Sequence, residues 1–168
     1  MVQSLLSVPG EDAASFVRPV KSDQIQPAGI DLRVDRVYRF TSPGFLGSKR
    51  ALPETEELEP KNGAWNLAPG SYKVRFSEIV EVPLDFVGLC FPRSSLLRMG
   101  VILACTVWDP GYKGRGEALL LVHNAHGFRL EKGVRVAQLV FVKMLRKPSR
   151  GYRGAYLGEN LDYQAYWY

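Results

Sequence analysis

The sequence predicts an all-β domain carrying one or two short helices. Three observations carry that expectation. From Ala64 onward, short runs rich in Val, Leu, Ile and aromatic residues follow one another closely. Turn signals separate them roughly every 8 to 12 residues, the spacing of a sandwich or jelly roll. Within the region only RSSLLRMG has a helical character, with serines at its start and Gly100 at its end. The 168 residues suit one domain with enough chain to bury a core.

The elements can be justified in order. Residues 2–20 hold one short amphipathic helix at about 11–17, bracketed by Pro9-Gly10 and Pro19. In IQPAGIDLRVDRVYRF, residues Ile30, Leu32, Val34 and Val37 mark the inward side of a strand that follows a Pro-Ala-Gly turn. Segment 41–63, rich in Gly, Pro and charge, reads as a loop or a protruding hairpin, and no chemistry attaches to its acidic cluster. Strands then follow in WNLAPGSYKVRF, EIVEVPLDFVGLCF, VILACTVWDP, EALLLVHN and FRLEKGVRVAQLVFVKM. The tail, about 146–168, has glycines and tyrosines but few aliphatics, so it is expected to lie over a surface or stay mobile. Residues 1–168 thus form a single domain with a C-terminal tail.

Composition narrows the function. No apolar run approaches a membrane span, and the N-terminal residues lack the basic start and long apolar stretch of a secretory signal, so the cytoplasm is expected. A formal charge of +5 suits an anionic ligand, but the basic residues are scattered. A nucleotide fits that distribution better than a duplex, and neither a nucleic-acid nor a membrane partner is expected. Cys90 and Cys105 sit in apolar strand-like runs and read as small buried hydrophobes, since a disulfide or metal site calls for more partners or a better spacing. His123 and His126 form an H-x-x-H pair without further ligands. There is no Walker loop, dinucleotide glycine fingerprint or Ser-His-Asp combination.

Four segments concentrate chemistry-bearing residues, and each admits a plain structural reading. PRSSLLRMG is either a capped helical turn with two solvated arginines or a polyanion cradle of hydroxyls, N–H groups and guanidinium forks. Asp31 in AGIDLR either points to solvent or serves a site. Asp109 in TVWDPGYKGRG is either a turn aspartate or a carboxylate placed to orient a water beside the ring of Tyr112. Arg135 and Gln138 interrupt the strand GVRVAQLVF as outward polar residues or site groups. Tyr152, Arg153 and Tyr156 in YRGAYLG belong to a plain terminus or to a closing lid.

The order AGIDLR, PRSSLLRMG, TVWDPGYKG, GVRVAQLVF and a Gly/Tyr-rich tail resembles the motif series of the trimeric dUTPase and dCTP deaminase superfamily, over about residues 24–160. IQPAGIDLRV, RSSLLRMGV and YRGAYLG look most like its archaeal dUTPase branch. The resemblance implies a distorted jelly-roll β-barrel, a homotrimer, and composite sites between subunits. It implies that Arg93, Ser94 and Ser95 hold a triphosphate, with Arg98 adding charge and Gln138 supporting the phosphate. Asp109 would position the attacking water and contact the deoxyribose, and Tyr112 would pack on the sugar-base unit. The hairpin with Cys105, Thr106, Val107 and Gly111 would read the base. Asp31 would organise the site or its hydrated metal, Arg135 would order the phosphate pocket, and Tyr152, Arg153 and Tyr156 would close as a lid. Mg²⁺ is the implied cofactor, held mainly by substrate phosphates, with no residue assigned as its direct ligand.

The superfamily's two activities are separated by one group. In the deaminases a strand glutamate, about ten residues beyond the aspartate, shuttles protons at the base. Here that position is Leu119, or Leu121 if Arg115-Gly116 is an insertion and the strand is anchored on Asn124. Leucine cannot move protons, so the expected activity is dUTP diphosphatase, giving dUMP and pyrophosphate. The alternatives are a dCTP deaminase, alone or bifunctional, in which Glu117 replaces the missing acid from the same strand face, and a catalytically silent nucleotide-binding trimer. The tail also departs from the family's usual YQG, with Tyr156-Leu157-Gly158 followed by Glu159.

Overall fold

The computed structural model describes residues 6–161; residues 162–168 of the expected tail lie outside them. The helix expected at 11–17 is shorter: α1 (Gly10–Ala13) tightens at once into a 3₁₀ turn over Ala14–Phe16. Val17 cannot remain helical because it is buried in β1 (Val17–Arg18), paired with Val80. A second 3₁₀ turn, Ser22–Gln24, leads into β2 (Ile25–Gln26) and the long β3 (Gly29–Phe40). Segment 41–63 is the expected hairpin: β4 (Phe45–Leu46) pairs with β5 (Arg50–Ala51), and β6 (Thr55–Glu57) returns to pair with the end of β3.

The remaining strands fall where the apolar runs placed them. They are β7 (Ala64–Leu67), β8 (Gly70–Phe76), β9 (Ile79–Glu81), β10 (Phe86–Pro92), β11 (Val101–Ala104), β12 (Val107–Trp108), β13 (Lys113–Gly114), β14 (Glu117–Val122), β15 (Phe128–Glu131) and β16 (Arg135–Lys143). Between β10 and β11 lies α2 (Ser94–Arg98). The serine cap expected there is absent: Arg93 occupies the cap position and makes no side-chain cap hydrogen bond. The turn still stops at Gly100, whose φ of 72° suits a residue without Cβ.

Among the described residues, the main sheet runs β11-β14-β8-β3-β16-β10-β12, with β2 and β6 also on β3, and curls into a half-barrel. β3 is its spine. Its first half pairs with β16, setting Asp31 opposite Gln138, and its second half pairs with β8. A register shift between Val34 and Arg36 explains the inward set: Ile30, Leu32 and Val34 alternate, and burial resumes at Val37 rather than at residue 36. The concave side is filled by Ile30, Leu32, Phe76, Leu120, Leu139 and Phe141, all essentially inaccessible to solvent. Each such side chain stabilises the fold by about 1.5–3 kcal/mol relative to exposure. A smaller sheet, β1-β9-β13, and the pair β15-β7 complete the shell.

Candidate functional site

The first feature is a cleft of about 930 Å³ between α2, the β15–β16 turn and the Ser22–Gln24 turn. Six of its lining residues are basic (Lys21, Arg33, Arg93, Arg129, Lys132, Arg135) and three acidic (Asp23, Glu78, Glu131), so it favours an anion. Ser95 and Arg93 reach it from α2 and its cap. Ser94, one residue away, is exposed. Arg98 is also exposed, and its Nη1 donates to the Ser94 carbonyl at 2.9 Å, fixing it along the helix rather than in the cleft. Gln138 is half-buried on β16, between Asp31 of β3 and Phe91 of β10.

Asp31 does not point to solvent. It is 1% exposed, because the start of β3 is flanked by β2 and β16. Its Oδ2 lies 3.1 Å from Arg93 Nε and 3.4 Å from Arg135 Nη1. Burial pushes the Asp31 carboxyl above its ordinary value, and the two guanidiniums pull it part of the way back. A carboxylate in this position acts as an anchor that aims two arginines. Oδ2 lies within ion-pair distance of both guanidiniums yet accepts no hydrogen bond among the described residues. Among the described residues no group of three or more His, Cys, Asp or Glu is arranged to hold a metal.

The network extends to residues that the sequence did not single out. Asp23 Oδ1 accepts from Arg33 at 2.7 Å, and Asp23 also meets Arg135, whose Nη1 donates to the Asp23 carbonyl. Gln24, fully buried, donates through Nε2 to the Asp31 carbonyl and to Glu78 Oε1, both at 2.8 Å. Glu78 Oε2 accepts from the Arg33 backbone N–H at 2.9 Å, and burial pushes the Glu78 carboxyl up. These partners are far apart in sequence, so periodicity offers no signal for them.

The second feature is a cavity of about 230 Å³ lined by Thr106, Val107, Trp108, Asp109, Tyr112, Gly116, Glu117, Tyr152, Tyr156 and Glu159. It shares no lining residue with the basic cleft. Asp109 is exposed at its wall, ahead of a turn closed by the Tyr112 N–H on the Asp109 carbonyl at 3.0 Å. Gly111 has φ 83° and packs against Gly151, where a Cβ would approach within 2.9 Å of the Gly151 Cα. The Tyr112 ring is largely enclosed, edge-on to Trp108 at 5.1 Å and to Tyr152 at 5.9 Å. Cys105 lies apart from the cavity lining, its Sγ 2.9 Å from that of Cys90, so neither cysteine is an isolated hydrophobe.

The tail lies over this hairpin of its own chain. Tyr152 N–H donates to the Pro110 carbonyl and Gly158 N–H to the Lys113 carbonyl, both at 2.7 Å. The Tyr112 hydroxyl donates to Glu159 Oε1 at 2.7 Å. Burial pushes the Glu159 carboxyl up, opposed by that hydrogen bond, and burial likewise pushes the Tyr112 phenol up. Arg153 is exposed, while Tyr156 lines the cavity beneath Arg50, whose guanidinium sits 5.3 Å from the ring centre. Sequence reasoning noted Glu159 only as a departure from a motif; its contact depends on the tail's path.

An adjoining space of about 390 Å³ shares Thr106, Glu117, Tyr156 and Glu159 and adds Phe40, Leu52, Pro53, Thr55, Lys73, Ala104, Ala118 and Leu119. Segment 41–63 therefore supplies a wall of this region. On β14, Glu117, Leu119 and Leu121 share the half-buried face, opposite Ala118, Leu120 and Val122 in the core. Glu117 reaches the cavity without a bulge in its pairing to β8. Its carboxylate is engaged by Lys73 Nζ at 3.1 Å and by Asn160 Nδ2 at 3.4 Å.

Residues 10–144 match the model of the dCTP deaminase-like family. A protein of Aeropyrum pernix named probable deoxyuridine 5'-triphosphate nucleotidohydrolase is 50% identical over 138 residues, covering 82% of this chain and 87% of that protein. One of the same name from Methanosarcina barkeri is 43% identical over 141 residues, covering 82% of each. Among solved structures, the 2'-deoxycytidine 5'-triphosphate deaminase of Agrobacterium tumefaciens superposes with a TM-score of 0.64 at 20% identity, over 84% of this chain. The chain spans only about half of that deaminase, 49% of its length. The Staphylococcus bacteriophage 80alpha dUTPase superposes with a TM-score of 0.52 at 15% identity, over 91% of this chain and 98% of its own. Those superpositions establish the dUTPase-like fold, and the match over 10–144 places the chain in the dCTP deaminase-like family.

Proposed function

We propose that this protein is a dUTP diphosphatase, hydrolysing dUTP to dUMP and pyrophosphate. The observation that carries this reading is Leu119, an apolar side chain facing the cavity region where deamination needs an acid. The names of relatives up to 50% identical support it. A triphosphate carries about four negative charges, which a cleft with a basic excess and aimed guanidiniums is suited to neutralise.

The chemistry follows from positioning and charge. Hydrolysis breaks the phosphoanhydride bond between the α- and β-phosphates. Asp109, exposed and free of side-chain partners among the described residues, orients the attacking water and accepts its proton. Arg93 and Ser95 bind the phosphates, with Arg93 held on the cleft lining by Asp31 at its Nε and by the Arg135 carbonyl, to which its Nη1 donates at 3.5 Å. Thr106 and Val107 border the base and sugar, with the tail over them. A divalent cation such as Mg²⁺, held mainly by the substrate phosphates, would supply further neutralisation of their charge.

β10 and β12 pair antiparallel at Gly88–Trp108 and Leu89–Val107, so the chain leads away from that pair in opposite directions to Arg93 and to Asp109, and the two clefts share no lining residue. We infer a homotrimer whose sites combine the basic cleft of one subunit with the Asp109 hairpin of a neighbour. Exposed Phe91, Leu97, Met99 and Val107, each at least half accessible, supply apolar surface for such contacts. A cytoplasmic location accords with nucleotide hydrolysis.

One observation favours a second reading. Glu117 lines the same cavity as Asp109, which keeps a dCTP deaminase in view despite its engagement with Lys73 and Asn160. The deciding experiment offers dUTP and dCTP separately with Mg²⁺ and follows pyrophosphate and ammonia. Pyrophosphate from dUTP with no ammonia from dCTP is expected. Ammonia release would transfer the assignment to the deaminase.

A further inference from the structure

The two cysteines lie outside the proposed chemistry, yet their sulfurs are 2.9 Å apart, closer than two sulfurs that merely touch. Cys90 stands on β10, and Cys105 lies in the short connection between β11 and β12, the strand that pairs with β10 at Leu89 and Val107. The sheet itself therefore holds the two side chains together. They are the chain's only cysteines, so there is one possible pairing within it. Both are half-buried, which leaves an approach for a small molecule and little room for a protein. Between them run the end of β10, α2 and β11, the segment that carries Arg93 and Ser95 to the basic cleft.

We propose that Cys90 and Cys105 form an intrachain disulfide, made by exchange with a small-molecule disulfide, that closes residues 90–105 into a covalent loop. Contact with the neighbouring sulfur, and then burial, hold the Cys90 thiol in its protonated form, so the exchange starts at Cys105. The Cys105 thiolate attacks the small disulfide, forming a mixed disulfide and releasing one small thiol. Cys90 then gives up its proton to water, attacks the Cys105 sulfur and displaces the second small thiol. Two protein thiols are oxidised and one small disulfide is reduced to two thiols. The sulfurs need to close only from 2.9 Å to a bond length of about 2.05 Å. The crosslink fixes both ends of the segment bearing α2.

The test treats the whole folded protein with oxidised glutathione, then denatures it, adds iodoacetamide and measures the intact mass. Oxidised wild type is expected to take up no alkyl groups, and two after reduction. A loop of this length in a protein of this size predicts that oxidation raises Tm by about 5–10 °C. In Cys90→Ser, glutathione is expected to stay on Cys105, since no second thiol displaces it. Two alkyl groups on treated wild type, or interchain dimers on a non-reducing gel, would each overturn the proposal. None of these readouts depends on which nucleotide the protein hydrolyses.

Discussion

Oδ2 of Asp31 and Nε of Arg93, a residue of the basic cleft, meet at 3.1 Å, with the Asp31 side chain 2% and the Arg93 side chain 32% exposed. One end of the pair is therefore fixed in the sheet, and the other is partly exposed on the lining of the cleft. Asp31→Asn leaves Arg93 and Arg135 without their shared anchor. The expected cost lies between exposed and buried ion pairs, about 1–3 kcal/mol. Steady-state kinetics on dUTP should show KM rising more than kcat falls, because binding groups lose their aim while Asp109 stays in place. An unchanged KM would remove Asp31 from the phosphate site.

The separation of Arg93 from Asp109 gives a test of shared sites. Arg93→Ala and Asp109→Asn should each abolish turnover as pure oligomers; the aspartate change is expected to cost about 10²–10⁴-fold. Asp109→Asn should still bind a non-hydrolysable dUTP analogue. Co-expressed in equal amounts, the two variants should recover about a quarter of wild-type activity if each site draws on two subunits. If both residues came from one chain, no activity would return.

Gly111 joins the Asp109 turn to the tail. Its φ of 83° and the 2.9 Å approach of a Cβ to the Gly151 Cα both require glycine. Gly111→Ala is expected to cost about 1–2 kcal/mol from backbone conformation alone. Release of the tail should show as faster limited proteolysis within 150–160. Wild-type cleavage rates would argue that the tail docks without this contact.

Burial of the Glu159 carboxyl makes tail docking sensitive to pH, an effect that the hydrogen bond from Tyr112 partly offsets. Burial raises the docked Glu159 carboxyl above its ordinary value of 4.5, so docking prefers the protonated form. This contribution is fully present below the free carboxyl's range and is lost as pH rises through the docked value. Trp108, edge-on to Tyr112 at 5.1 Å, provides a fluorescence signal for docking. The signal should change with rising pH in wild type, and Glu159→Gln, which keeps an acceptor for Tyr112, should flatten that step.

The sequence by itself determined where most strands fall along the chain, the position of α2 and the inward residues of β3, because period-two alternation and turn chemistry are local. It also placed Asp109 at a turn and Glu117 on the face of Leu119, for the same reason. Only the tertiary structure decided that Asp31 is buried between two arginines, that Ser94 and Arg98 are exposed and not part of the basic cleft's lining, and that Cys90 meets Cys105. Those outcomes depend on which strands lie side by side and on the path of the tail. Asp31 shows the difference most clearly. Its alternation allowed an outward aspartate, but strands on both edges of β3 removed the solvent, and two guanidiniums brought from distant segments made its burial tolerable.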